Sequence, residues 1–216
     1  GEARRIYGQI VPSDSPNKRI TVLKQPIGVV GIITPWNFPI AMIARKIAAA
    51  IAAGCTCVIK PAPETPLSAL ALAAICQEAG FPPGTINVVA GEASIIGQEL
   101  LKSPIVRKIS FTGSSQVGKF LMRESAETVK RLTLELGGNA PFIVFEDADI
   151  DQAVKGAVMS KFRNCGQTCI SVNRFQKKKK VMNEFKQKLL NAVKALKVGN
   201  GLEDSTDIGP LISVKA

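Results

Sequence analysis

The chain has 216 residues, 46% hydrophobic and 21% charged, enough for one substantial globular domain or parts of two and inconsistent with gross disorder. Lys and Arg outnumber Asp and Glu by 28 to 17, a formal charge of +11, but aromatics are only 5% and no nucleic-acid motif is present, so nucleic acid is not an expected partner. No apolar run approaches the roughly 20 residues of a membrane-spanning helix. The 5 cysteines, irregularly placed, do not form a disulfide framework, so the expected setting is the cytoplasm or an organelle matrix.

The chain opens Gly1-Glu2-Ala3-Arg4-Arg5, with neither an initiator Met nor a signal-peptide pattern, and is expected to be part of a longer one. The β-branched run Ile27 to Ile33 predicts a strand ending at a Pro-containing turn. Ala41 to Ala53 is helical, with Ile at helical spacing, and Gly54 stops it. Strand Cys55–Lys60 follows, then a helix opened by Thr65-Pro66 and running through Ala79 to the turn at Gly80. Strand Ile86–Ala90, a helix near Ser94 to Leu101, strand Lys108–Phe111, a helix from about Gln116 to Ser125 and strand Arg131–Leu136 complete the series. This alternation predicts a three-layer, Rossmann-like parallel sheet with helices on both faces, spanning residues 1–136 with an N-terminal bridging segment.

A second, partial α/β unit is expected over 137–216. It has strand Phe142–Phe145, a helix from a capping box at Asp149 and Gln152 to Phe162, a strand at Val172–Phe175 and a helix from Met182 to Leu196. Its strands are too few for a closed core to be expected. The run Gln176-Lys177-Lys178-Lys179-Lys180 cannot alternate core and solvent faces and reads as a solvated edge or loop.

Ligands of open parallel sheets bind at the carboxyl ends of the strands. Trp36-Asn37, Lys60, Gly113-Ser114 and Glu135 fall there. Each residue also has a plain explanation. Asn37, shortly before Pro39, is a good helix opener. Glu135 can be a surface or interdomain carboxylate. The Gly113–Gly118 stretch is an ordinary Gly/Ser turn or a phosphate-binding loop, and its spacing departs from G-x-G-x-x-G. Arg45 and Arg163 can be surface arginines, and Cys55, Cys57 and Cys76 buried thiols. Cys169 is either an inert thiol or a nucleophile, and Cys165 a rival nucleophile, a redox partner or a packing residue. The chain has no His, so a general base must be a carboxylate, a lysine or a cysteine.

Taken together, Pro35-Trp36-Asn37-Phe38-Pro39, Lys60-Pro61-Ala62, Phe111-Thr112-Gly113-Ser114, Leu134-Glu135-Leu136-Gly137-Gly138 and Gly166-Gln167-Thr168-Cys169 resemble the aldehyde dehydrogenase superfamily. The stretches Ala41 to Lys46 and Ser160 to Asn164 bring the resemblance nearest to its succinate-semialdehyde dehydrogenases. The resemblance implies an NAD- or NADP-dependent oxidation of a small aldehyde acid, in which the three catalytic groups converge. Cys169 would be the nucleophile, Asn37 an oxyanion donor and Glu135 the base that activates water. Trp36, Lys60, Gly113 and Ser114 would bind the cofactor, Arg45 and Arg163 the distal carboxylate of the substrate, and no metal is implied. Pro63 stands where NAD-preferring relatives often carry Glu, which permits NADP. Ser171 occupies the place of a redox-switch cysteine in some relatives, so a disulfide of that kind is not expected. The remaining readings are a glutarate-semialdehyde or broad-specificity enzyme, or a catalytically silent fragment that retains at most nucleotide binding and is aggregation-prone in isolation. The resemblance further implies a homo-oligomer when full length, and the family's early cofactor segment and later Glu-x-Phe-Gly-Pro segment are absent from this sequence.

Overall fold

The computed structural model describes residues 2–214 and 216. The chain divides into two compact units, Gly1–Glu135 and Leu136–Ala216.

The first unit is built on a five-stranded parallel sheet. Its strands are β3 (Val29–Ile33), β4 (Thr56–Lys60), β5 (Ile86–Val88), β6 (Val106–Thr112) and β7 (Arg131–Glu135), in the order β5-β4-β3-β6-β7. β3 is central and buried on both faces, which its run of Val, Gly and Ile allows. Gly31 lets β3 pack closely there, since a Cβ would come within 2.8 Å of the Ile109 Cδ1 on β6 and would force that side chain to shift.

Helix α1 (Pro39–Ala52) follows β3 and buries Ile43, Lys46, Ile47 and Ala50, an i, i+3, i+4, i+7 stripe. It ends where Gly54, at φ +78°, lets two amides turn back on the last turn: Gly54 N–H to the Ile51 carbonyl and Cys55 N–H to that of Ala50, both 2.9 Å. Helices α2 (Pro66–Glu78), α3 (Ala93–Lys102) and α4 (Ser115–Ser125) make the other crossovers. β3, β4 and β5 step outward in one direction, and the chain then returns across β3 to β6 and β7. Right-handed crossovers therefore put α1 and α2, which pack together, on one face and α3 and α4 on the other. This is the three-layer α/β arrangement expected from the sequence.

Some expectations need correcting. α1 begins at Pro39 with Phe38 as its N-cap, so Asn37 is not the helix opener that its sequence position suggested. A short antiparallel pair, β1 (Gln9–Val11) with β2 (Ile20–Val22), lies where no strand was expected. All six of its residues are exposed, so it carries no alternation to read.

In the second unit, β8 (Ala140–Val144) pairs in parallel with β9 (Val172–Lys177), and α5 (Ile150–Phe162) packs on α6 (Met182–Lys194). Contrary to expectation, two strands suffice for a core: Val144, Ile150, Val154, Ala157, Val181 and Phe185 are buried together. The rings of Phe142, Phe175 and Phe185 meet at centroid distances of 5.7 to 6.4 Å. β9 runs two residues further than expected, into Lys177, and the following lysines are exposed.

Candidate active site

The chain reverses its direction across the sheet between β3 and β6, and the crevice beyond their carboxyl ends is where such a sheet takes a ligand. The register lines up its edge. Ile33 pairs with Lys60 on one side and Phe111 on the other, and Thr112 pairs with Glu135. Lys60 and Glu135 thus stand three strands apart, roughly 14 Å at the usual strand spacing. Trp36 and Asn37 leave β3 at this edge, and Gly113 and Ser114 leave β6. The Asn37 Oδ1 accepts from the Phe38 N–H at 3.1 Å, which makes Nδ2 the donating end of its amide. Gly113 donates its N–H to the Glu135 carbonyl at 3.0 Å, and a Cβ there would run into the Phe111 ring. Ser114 caps α4 through its hydroxyl, accepting from the Val117 N–H at 3.3 Å, so the amino end of α4 is presented at the same edge.

Three features of this edge fit a dinucleotide. The Oγ1 atoms of Thr34 and Thr112, buried at the ends of β3 and β6, have no hydrogen-bond partner among the described residues. Lys60 is only 4% exposed, and burial lowers its ammonium pKa against the opposing pull of Glu64 and Glu92. Beside it, Pro61, Ala62, Pro63, Ala90, Gly91 and Glu92 line a hollow of about 330 Å³. The carboxylate in this hollow belongs to Glu92, which accepts from the Ser94 hydroxyl at 3.0 Å and the Ser94 N–H at 3.4 Å. Pro63 contributes no charge to it.

On the α1 face, a groove of about 770 Å³ is lined by Arg45, Lys46, Lys108, Ser110, Arg131 and Glu135, among others. The structure thus brings Arg45 and Glu135 to one groove. Lys46, which the sequence reading passed over, points into it from the apolar stripe of α1. It is 8% exposed, and its Nζ donates to the Ser110 Oγ at 3.2 Å. Burial pushes its pKa down to about 8, resisted by Glu135 and assisted by Arg45 and Lys108. Its sequence signal was a lysine three residues after Ile43 and one before Ile47, on a helix face that otherwise goes to the core.

Arg163 and Cys169 belong to the second unit, on the loop between α5 and β9, and both are exposed. Asn164 and Cys165 are consecutive non-glycine residues in the left-handed region, at φ 52° and 57°. Gly138 abuts this loop, since a Cβ on it would run into the Cys169 carbonyl oxygen. Cys55 and Cys57 are buried and Cys76 half-buried, as expected of packing thiols. Among the described residues, no cluster of three His, Cys, Asp or Glu side chains could hold a metal, and no helix is long and apolar enough to cross a membrane.

Such a sheet has the doubly wound topology of open α/β proteins, whose ligands bind at the point where the strand order reverses. The family model described as the aldehyde dehydrogenase family matches residues 1–216, and the chain belongs to that family. It is 57% identical over 215 residues to a succinate semialdehyde dehydrogenase of Acinetobacter baylyi, covering 100% of this chain and 44% of that protein. A glutarate-semialdehyde dehydrogenase of Pseudomonas putida is 56% identical, with 100% of this chain and 45% of the relative covered. The crystal structure of an NADP-dependent enzyme of E. coli superposes with a TM-score of 0.96 at 55% identity, over 99% of this chain and 44% of that one. The chain thus spans less than half the length of the relatives it matches.

Proposed function

We propose that the protein carrying this chain oxidises succinate semialdehyde to succinate with NAD⁺ or NADP⁺ through a cysteine-bound thioester. The observation that carries this reading is the whole-chain match to the aldehyde dehydrogenase family, together with 57% identity to a succinate semialdehyde dehydrogenase. The Cys169 thiolate attacks the aldehyde carbon. The Asn37 Nδ2 and the Cys169 backbone N–H donate to the alkoxide that forms; one such donor is typically worth about 10²–10³ in rate. When bound, the nicotinamide supplies the two-electron acceptor for the hydride leaving that carbon. Glu135 then takes a proton from water as it attacks the thioester, and succinate departs with the thiolate regenerated.

Trp36, Lys60, Gly113 and Ser114 hold the dinucleotide at the carboxyl edge. The orphaned hydroxyls of Thr34 and Thr112 and the buried Lys60 support that assignment. The absence of a carboxylate at Pro63 and the NADP-dependent E. coli relative favour acceptance of a 2′-phosphate. Arg45 and Arg163 bind the substrate's distal carboxylate by paired, charge-assisted hydrogen bonds. The groove beside Arg45, with four cations to one carboxylate, favours an anionic ligand. Glutarate semialdehyde is the second reading, supported by the Pseudomonas putida relative.

The test is steady-state kinetics of the full-length protein with both semialdehydes, each with NAD⁺ and NADP⁺, on wild type, Cys169→Ala and Arg45→Ala. Cys169→Ala is expected to abolish turnover, and retained turnover refutes the mechanism. Arg45→Ala is expected to lower kcat/KM for succinate semialdehyde about 10–100-fold more than for an uncharged aldehyde. Equal losses on the two would defeat the clamp.

A further inference from the structure

The loop that carries Cys169 is held at two points that flank the thiol. Downstream, buried Ser171 donates its hydroxyl to the Lys161 carbonyl at 3.2 Å and its N–H to the Thr168 carbonyl at 3.1 Å. Upstream, the tie is Gln167. Its carboxamide uses both ends: Nε2 donates to the Asn164 carbonyl at 3.2 Å, and Oε1 accepts from the Ile212 N–H at 3.0 Å. The Gln167 N–H donates to the same Asn164 carbonyl at 3.0 Å.

These bonds grip the part of the loop that most needs holding. Asn164 (φ 52°, ψ 40°) and Cys165 (φ 57°, ψ 25°) are both left-handed without being glycine, a conformation that Asn tolerates but that Cys165 keeps only where neighbouring contacts enforce it. The segment on the other side of the clamp is itself anchored. The Ile208 N–H reaches the Lys197 carbonyl and the Gly199 N–H the Ile208 carbonyl, both at 3.0 Å, while the Asp207 carboxylate accepts from the Lys197 N–H at 2.9 Å. The Cys165 thiol adds a second tie to this segment, donating to the Gly209 carbonyl at 3.3 Å.

We propose that Gln167 is a positioning residue for Cys169, its amide seating the nucleophile loop on the Gly209–Ile212 segment. The inference rests on the reading of Cys169 as the nucleophile. The carboxamide of Gln167 bonds to backbone groups, the Asn164 carbonyl and the Ile212 N–H. It fixes the backbone two residues upstream of the thiol, where a displacement of about 1 Å can cost roughly 100-fold in rate.

The experiment uses full-length Gln167→Ala and Gln167→Glu, with Cys169→Ala as control, all assayed below their measured Tm. It reads kcat, the KM for cofactor and hydrogen exchange at the Ile212 amide. Gln167→Ala is expected to expose the Ile212 amide to exchange and to lower kcat about 10–100-fold, with the cofactor KM unchanged. Gln167→Glu keeps an oxygen acceptor for Ile212 and the backbone N–H bond to the Asn164 carbonyl, giving up only the Nε2 bond, and is expected to restore the protection and bring kcat to within about fivefold of wild type. Wild-type kcat in Gln167→Ala overturns the proposal. So does an equal kcat loss in Gln167→Glu despite a protected Ile212. If Gln167→Ala fails to fold, Gln167→Glu against wild type carries the test, and a loss beyond about tenfold overturns it. Full turnover in Cys169→Ala would instead sink the nucleophile assignment, whatever the Gln167 variants show.

Discussion

Lys46 occupies a position of α1 where the helix otherwise presents Ile and Ala to the sheet, and it keeps a charge there at a cost. With its folded pKa near 8 against 10.5 for a free lysine, the folded state releases the proton first as pH rises. Between those values the unfolded chain binds more protons than the folded one, so stability increases with pH. Below about 8 both states are charged and the desolvation penalty is present in full. The window corresponds to on the order of 3 kcal/mol. Denaturation of wild type and Lys46→Met between pH 7.5 and 10.5 checks this: wild type is expected to gain stability relative to the variant as pH rises, and parallel curves would refute it.

At the scale of elements, local chemistry decides which expectations hold. Asp149 reads as a cap and is one, accepting from the Asp151 N–H at 2.9 Å and the Gln152 N–H at 3.1 Å. Asp149→Ala is therefore expected to cost about 1 kcal/mol, visible as a lower Tm, with Asp149→Ser recovering most of it. Thr65, with an equally good sequence signal before α2, makes no side-chain cap bond; Pro66 at the first turn does the work instead. Asn37 spends its oxygen on Phe38 and leaves the N-cap position to that residue.

The central strand β3 was legible because burial on both faces selects a β-branched run, here interrupted only by Gly31. β1 and β2 were not, because strands exposed on both faces impose no pattern on Gln9–Val11 or Ile20–Val22. The edge residues Lys60, Gly113 and Glu135 were readable from strand ends alone. The clamp at Gln167 was not, since its partner at Ile212 lies 45 residues away and offers only a backbone N–H.

For the molecule as a whole, each unit has its own core. One is built on Val30, Ile32, Ile43, Cys57 and Ile59, the other around Phe185. Phe185→Ala removes a fully buried ring that stacks with Phe142 and packs at a tilt against Phe175, and is expected to cost about 3–5 kcal/mol. Native-state hydrogen exchange should register the loss in the amides of α5, α6, β8 and β9, while those of β3, β4 and β6 keep their protection. Uniform loss across both sets would show one cooperative block instead.

The contact between Gly138 and the Cys169 carbonyl has a consequence for how such a sequence can drift. A methyl group at 138 has nowhere to go unless the peptide after the thiol is re-seated, so these positions cannot vary independently although 31 residues separate them. A mutational library would find the 138 site closed to every side chain until a compensating change reshaped the neighbouring loop, making Gly138 a steric licence for the cysteine's own backbone.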